Sequence, residues 1–360
     1  MFGRASFRFG EILIKWLMMD TSKKVARIER ALEALEPFET DCILCPRECR
    51  VDRRKVKAGV CQSGSEAAVS CALLHYGEEP VLSGLRDCAA DDHGEGRNRG
   101  GSGTIFFTGC NLKCLFCQNY QISWLAQGRT VSHEELAAFM LSLQRQGAYN
   151  INLVSPTHLV VPILKALKIA YAEGLAIPLV YNSNGYEKID VVERLAGIID
   201  IYLPDLKYRS PRVSKKYSGA ADYFGRASLA IQEMFVQQPD LVLDENDVAR
   251  QGLIIRHLIL PGQTEDSLAV LDWIAGNFPR SISLSLMSQY RPCFRAPEDI
   301  QRPLSADEYQ AVVLKAKKLG FENLFIQRPK PPSSNGFLCP RRQIQDDDQE
   351  RPDLHRSFRL

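Results

Sequence analysis

Three cysteines fall within eight residues, at Cys110, Cys114 and Cys117. The run Gly109-Cys110-Asn111-Leu112-Lys113-Cys114-Leu115-Phe116-Cys117 spaces the thiols by three residues and then two, so one loop can wrap a single inorganic centre. A cubane iron–sulfur cluster ordinarily takes four cysteines. Three leave one iron open, and an open position is what a metal centre needs to bind a substrate. A zinc knuckle and three buried core cysteines are the plainer readings; zinc asks for a fourth ligand close by, and none follows Cys117. A second group, Cys42-x2-Cys45-x3-Cys49-x11-Cys61, supplies four thiols, enough for a closed site. Zinc and a second iron–sulfur cluster both fit that count.

The rest of the composition frames these thiols. The chain has 360 residues and eleven cysteines, an odd number that argues against a complete disulfide framework and for thiols kept for metal or catalysis. Its 45 basic and 43 acidic residues leave +2, which gives no footprint for nucleic acid or anionic lipid. No run of about 18 apolar residues exists to span a bilayer. Residues 1–20 carry an apolar patch interrupted by Lys15 and not followed by a small-residue cleavage site. They read as a short amphipathic helix or an extended translation start and not as a secretory leader. The expectation is a cytoplasmic protein without nucleic-acid or membrane partners.

The elements that must position the thiols follow from periodicity. Val25, Ile28, Leu32 and Leu35 recur at helical spacing, and Pro37 ends that helix. The stretch Thr104-Ile105-Phe106-Phe107 is a strand running directly into Cys110. After it, strand-like and helical segments alternate: strands near 150–154, 177–181, 198–203, 253–260, 281–287 and 322–327, helices over 132–146, 159–173, 218–237, 264–276 and 305–319. Ser132 with Glu135 forms a capping box. The strands are mostly continuous apolar runs, as expected where both faces are covered. The fold expected is α/β, a partial (β/α)6-type barrel with a small N-terminal cysteine-rich segment. Four stretches follow: an extension and helix over 1–40, a cysteine-rich metal-binding segment and loop over 41–100, the barrel over 101–327, and a solvated tail over 328–360.

Barrel enzymes place their chemistry at the C-terminal ends of the strands. Asp205 and Lys207 stand two residues apart on a strand and so point to one face, at the barrel mouth; a surface ion pair is the plain alternative. Arg256 lies inside an apolar strand, where a charge is costly unless paired, so it should face the interior and a carboxylate, leaving His257 structural.

The loop Cys-x3-Cys-x-Phe-Cys resembles the signature of the radical S-adenosylmethionine (radical SAM) superfamily, with Phe116 as the aromatic before the third cysteine. Further segments are similar to PflX-type homologues of pyruvate formate-lyase activating enzymes. They are His75-Tyr76-Gly77-Glu78-Glu79-Pro80, Ser155-Pro156-Thr157-His158, Tyr202-Leu203-Pro204-Asp205-Leu206-Lys207 and Arg256-His257-Leu258-Ile259-Leu260-Pro261-Gly262. The resemblance covers about residues 40 to 327. It implies a [4Fe-4S] cluster on Cys110, Cys114 and Cys117, with S-adenosylmethionine chelating the open iron. It also implies reductive cleavage to methionine and a 5′-deoxyadenosyl radical, fed by a flavodoxin- or ferredoxin-type reductant, and a protein substrate carrying a glycine. A small-molecule or non-glycyl peptide substrate, or a retired metal-binding module, are the alternatives. Phe116, Ser155, Thr157, Asn182, Ser183, Asp205, Lys207 and Arg256 are the implied cofactor-binding residues, with no catalytic side chain beyond the cluster and S-adenosylmethionine. The usual Gly-Gly-Glu segment is missing after the second strand, where Ser155 and Thr157 stand instead. Residues 87–99 form an insert relative to the homologues.

Overall fold

The computed structural model describes residues 21–84 and 100–327. The apolar patch within 1–20, the 87–99 insert and the tail from 328 lie outside them. A helix, α1, covers 21–35 and runs into a 3₁₀ turn at Glu36–Glu39. The cysteine-rich stretch that follows is irregular up to β1 (Ala67–His75) and the short α2 (Pro80–Ser83). The remaining elements are β2 (Ser102–Phe107), α3 (Tyr120–Ser123), β3 (Arg129–Val131), α4 (His133–Arg145), β4 (Ile151–Val154), α5 (Val160–Ala172), β5 (Leu179–Ser183), α6 (Ile189–Glu193), β6 (Ile201–Pro204), α7 (Pro211–Ser218), α8 (Tyr223–Gln237), β7 (Val242–Leu243), β8 (Ala249–Leu258), α9 (Thr264–Asn277), β9 (Ser283–Met287), α10 (Ala306–Lys318) and β10 (Asn323–Ile326).

The sheet runs β10-β9-β8-β6-β5-β4-β2-β1-β3. From β2 to β10 the pairings are parallel, while β1 joins β2 and β3 antiparallel. This is an α/β fold with a partly open parallel sheet, in keeping with a partial barrel. It carries seven parallel strands, one more than a six-fold unit. Strands β2, β5, β6 and β9 are buried along their whole length, so that even their polar residues, Ser283 and Ser285 of β9 among them, are covered. The capping box Ser132–Glu135 opens α4 as expected, and Ser305 with Glu308 makes a second at α10.

Two local expectations change. The helix expected over 218–237 starts later, at Tyr223 (α8), because Gly219, at φ +64°, closes a separate helix, α7, in the left-handed conformation. The stretch 67–75 is a strand and not part of a loop-rich unit. Its half-exposed antiparallel position needs no apolar run, so its small residues gave no signal. Among the described residues no helix is long and apolar enough to cross a membrane.

Parallel register determines what reaches the barrel mouth. Phe106, Val154 and Asn182 pair successively across β2, β4 and β5, and Asp205 bridges to Arg256 just beyond β6. One inward side chain per strand end therefore lines the same opening.

Candidate active site

The loop 109–117 leaves the C-terminal end of β2 and is held from three sides. Leu115 N–H donates to Tyr217 O at 2.8 Å, and Arg295 N–H donates to Leu115 O at 3.0 Å. Trp124 Nε1 donates to Cys114 O at 3.0 Å, and the Cys293 thiol donates to Phe116 O at 3.3 Å. Cys293 is thus a clamp on the loop, contacting carbonyls and not the other sulfurs. Gly109 is required where it stands: its φ is +77°, and a Cβ there would lie 2.5 Å from Cys61 O.

Each of the three thiols meets a donor. Asn184 Nδ2 reaches Cys110 Sγ at 3.3 Å, and the Leu112 amide reaches it at 3.4 Å. Ser218 Oγ donates to Cys114 Sγ at 3.0 Å, and Ser123 Oγ to Cys117 Sγ at 3.1 Å. Burial, then the neighbouring thiol at Cys114, pushes Cys110 up to about 11 and Cys117 up to about 12. Cys114 is also raised by burial, against the pull of Lys207 and Ser218. Bare thiols there stay protonated at neutral pH, so a metal centre must displace their protons on binding. N–H and O–H donors aimed at sulfur suit thiolate ligands of an iron–sulfur cluster, whose properties such bonds tune. Among the described residues no group of three or more His, Cys, Asp or Glu side chains is arranged to hold a single metal ion. Three thiols in one loop, each met by an N–H or O–H donor, are a donor set that fits a thiolate-held cluster.

Cys114, Phe116 and Cys117 open onto a cavity of about 180 Å³ whose other walls come from the strand ends. Asp205 sits between two cations, Lys207 Nζ at 2.5 Å and Arg256 Nε at 3.0 Å. Arg256 also donates to Asn182 Oδ1 at 2.6 Å and lies 3.4 Å from Glu78 Oε2. Burial alone would raise Asp205, but Lys207 and Arg256 overcome it and hold the carboxyl below its ordinary range. Lys207 is raised for the reciprocal reason, Asp205 outweighing burial. Glu78 is lowered because His75 and Arg256 outweigh its burial, whereas burial raises its neighbour Glu79.

Of the residues named from sequence, Phe116, Asn182, Asp205, Lys207 and Arg256 line this cavity with Cys114 and Cys117. Ser155, Thr157 and Ser183 do not. Ser155 occupies a left-handed turn at φ +59°. Thr157 Oγ1 donates to Glu187 Oε1 at 2.5 Å, and Ser183 also bonds that carboxylate. Glu187 is fully buried, and desolvation raises it to about 7. His257 is buried with Nδ1 2.7 Å from Leu206 O, a structural position. Sequence reasoning missed Asn184, Ser218, Ser123 and Glu78. Asn184 directly follows Asn182 and Ser183, both named from the sequence. The hydroxyl donors carry no spacing signal, because they arrive from other elements.

A family model described as the Radical SAM superfamily matches residues 104–274, from β2 through most of α9. This match agrees with the superfamily resemblance read from the cysteine loop. It does not reach the finer PflX-type assignment. The uncharacterized protein MJ0674 of Methanocaldococcus jannaschii is 29% identical over 310 residues, which are 83% of this chain and 80% of that protein. Among solved structures, Streptococcus suis SuiB bound to S-adenosylmethionine is 14% identical, with a TM-score of 0.41 over 61% of this chain and 48% of SuiB. The protein anSMEcpe with bound AdoMet is 12% identical, with a TM-score of 0.42 over 60% of this chain and 58% of its own. The chain spans less than two thirds of either structure.

Proposed function

We propose that this protein is a radical SAM enzyme of the glycyl-radical activase type, with Cys110, Cys114 and Cys117 holding a [4Fe-4S] cluster at the mouth of the barrel. The observation that carries the reading is one cavity shared by the three-cysteine loop and the Asp205–Lys207–Arg256–Asn182 wall. When bound and reduced, the cluster supplies one electron to S-adenosylmethionine, giving methionine and a 5′-deoxyadenosyl radical that abstracts a hydrogen atom.

The chain's own residues bind, orient and shield. Lys207 and Arg256 offer charge-assisted donors to a carboxylate, while Asp205 and Asn182 offer oxygen acceptors to an ammonium. Because these groups already bond one another, they are fixed before ligand arrives, and little ordering remains to be done on binding. Phe106, Val154, Leu258 and Met287 add apolar surface to the same lining. That surface excludes water and offers no O–H or N–H to a reactive carbon.

The finer assignment, a radical delivered to a glycine Cα–H of a partner protein, rests on the activase-like strand ends, with a low-potential flavodoxin- or ferredoxin-type protein as reductant. The test is anaerobic: reduced protein is given S-adenosylmethionine, and 5′-deoxyadenosine is measured against Cys114→Ala. Product above that control supports the enzyme, and none overturns it. A glycyl-radical signal in an added partner separates activase from small-molecule chemistry.

A further inference from the structure

The N-terminal cysteines are set apart from the cavity just described, yet Cys42, Cys45, Cys49 and Cys61 line one small cavity of their own together with Arg53. Cys42, Cys45 and Cys61 are buried, and Cys49 is half-buried. The irregular chain from 40 to 66 earns its shape from this convergence. The Cys42 amide donates to Val51 O at 3.1 Å and the Arg50 amide to Cys42 O at 3.0 Å, folding the first three cysteines back on themselves. Gly59 brings the fourth: at φ +75°, a Cβ there would lie 3.0 Å from Cys49 Sγ, so the chain passes where only glycine fits. The Val60 amide then donates to that sulfur at 3.4 Å.

Arg53 supplies the independent observation. It is only 2% exposed, and two of its guanidinium nitrogens donate to carbonyls, Nε to Ser63 O at 3.4 Å and Nη1 to His158 O at 2.5 Å. Its remaining nitrogen, Nη2, is buried without any hydrogen-bond partner. No carboxylate pairs with it among the described residues. A buried guanidinium with an idle donor and no counter-charge is strongly disfavoured unless negative charge is supplied. Four protonated thiols supply none; four thiolates around a metal centre supply it directly beside Arg53.

We propose that Cys42, Cys45, Cys49 and Cys61 hold a second, fully cysteine-ligated [4Fe-4S] cluster, with Arg53 as its buried counter-charge. Spacing admits zinc as well, so it is the arrangement of the sulfurs that bears on the metal. A zinc ion holds its thiolates at about 2.3 Å and so draws four sulfurs tightly around one point. Among the described residues no three ligating side chains are so arranged, although all four sulfurs edge one cavity.

The inference is independent of the radical chemistry, and its test is chosen so that either can fail alone. Full-length protein is purified without air from cells supplied with both iron and zinc, and iron, acid-labile sulfide and zinc are measured as isolated. Wild type should carry about eight irons and eight sulfides, from two four-iron clusters. The triple variant Cys110→Ala/Cys114→Ala/Cys117→Ala should keep about four of each, with a dithionite-reduced signal that S-adenosylmethionine leaves unchanged. Cys42→Ser/Cys49→Ser should lose the complementary half while keeping the signal that S-adenosylmethionine alters. Arg53→Gln should lower the iron retained by the triple variant, and Arg53→Lys should restore part of it. One zinc per chain in the triple variant, or no metal at all in a variant whose circular dichroism matches wild type, overturns the proposal. If the triple variant fails to fold, wild type decides: four irons with Cys42 and Cys45 open to alkylation overturns it, eight irons supports it.

Discussion

Replacing Ser218 with alanine isolates one hydrogen bond to the proposed barrel cluster. Ser218 Oγ donates to Cys114 Sγ at 3.0 Å and lies 2.7 Å from Tyr208 Oη. Its single proton is committed to sulfur, so it accepts from the tyrosine, and Tyr208 polarises the hydroxyl toward Cys114. Hydrogen bonds to charged groups contribute about 1.5–3 kcal/mol. Only the part that strengthens when the cluster gains an electron moves the potential. Taking about 1 kcal/mol for that part gives a shift of about 45 mV, since 1.4 kcal/mol corresponds to about 60 mV for one electron. The donor favours the more negative, reduced state, so Ser218→Ala should move the potential downward. The assay is a redox titration of anaerobic wild type and variant, followed by electron paramagnetic resonance. Tyr208→Phe should shift the potential the same way by less. A change under about 10 mV, or one toward positive potential, would mean that the hydroxyl does not tune the sulfur.

Asp205→Asn leaves Lys207 and Arg256 facing each other across a neutral amide, and one-sided loss of a buried charge costs about 3–5 kcal/mol in urea unfolding at pH 7. A double-mutant cycle with Arg256→Gln should give a coupling of about 1–3 kcal/mol; below about 0.5, the two act independently. His257 is held to about 4 by burial, below its ordinary 6.5, so its contribution is complete above pH 6.5 and lost as pH falls to about 4. The gap, 6.5 minus 4 or about 2.5, amounts to at most about 3.4 kcal/mol, and His257→Gln should flatten the stability decline over that window; parallel curves for the two proteins would refute it. Gly185→Ala meets the main-chain oxygen of Asp205 at a φ of +79°, whereas Gly147→Ala, at +85°, meets nothing. The first should cost about 2–5 kcal/mol and the second about 1–2, read by thermal unfolding; equal costs would show that the contact relaxes.

The sequence made some of this legible for identifiable reasons. Buried parallel strands favour apolar residues on both faces, so the apolar stretches of β2, β5 and β6 announced themselves, and the cysteine loop followed the first of them closely. Arg256 was readable as an inward charge because nothing else explains arginine in such a strand, and it does meet Asp205. Strand β1 was not readable, because half-exposed antiparallel pairing tolerates Ala, Ser and Cys without period. Ser155, Thr157 and Ser183 were implied by the resemblance at the ends of strands β4 and β5, but a residue at a strand end can turn either way. The left-handed turn at Ser155 precedes Thr157, whose hydroxyl bonds buried Glu187 outside the cavity lining. Ser123 and Ser218 reach the sulfurs from α3 and the end of α7, a meeting that only tertiary packing creates.

The two walls of the cavity are charged in opposite styles, and that difference bears on what the site asks of its ligand. The side-chain donors on the sulfurs, Asn184, Ser218 and Ser123, are all neutral. The formal charges stand together elsewhere, Lys207 and Arg256 against Asp205 and Glu78, with the carboxyl of Glu79 beside them. An unmatched lysine at the mouth would attract any anion. A lysine already bonded at 2.5 Å attracts only a group that can share or replace Asp205. Discrimination then depends on a ligand presenting carboxylate and ammonium together, each able to enter an existing pair, as the methionyl end of S-adenosylmethionine does. Free acids or amines satisfy one side only and leave the displaced partner buried and unpaired, which is the costly state for such groups.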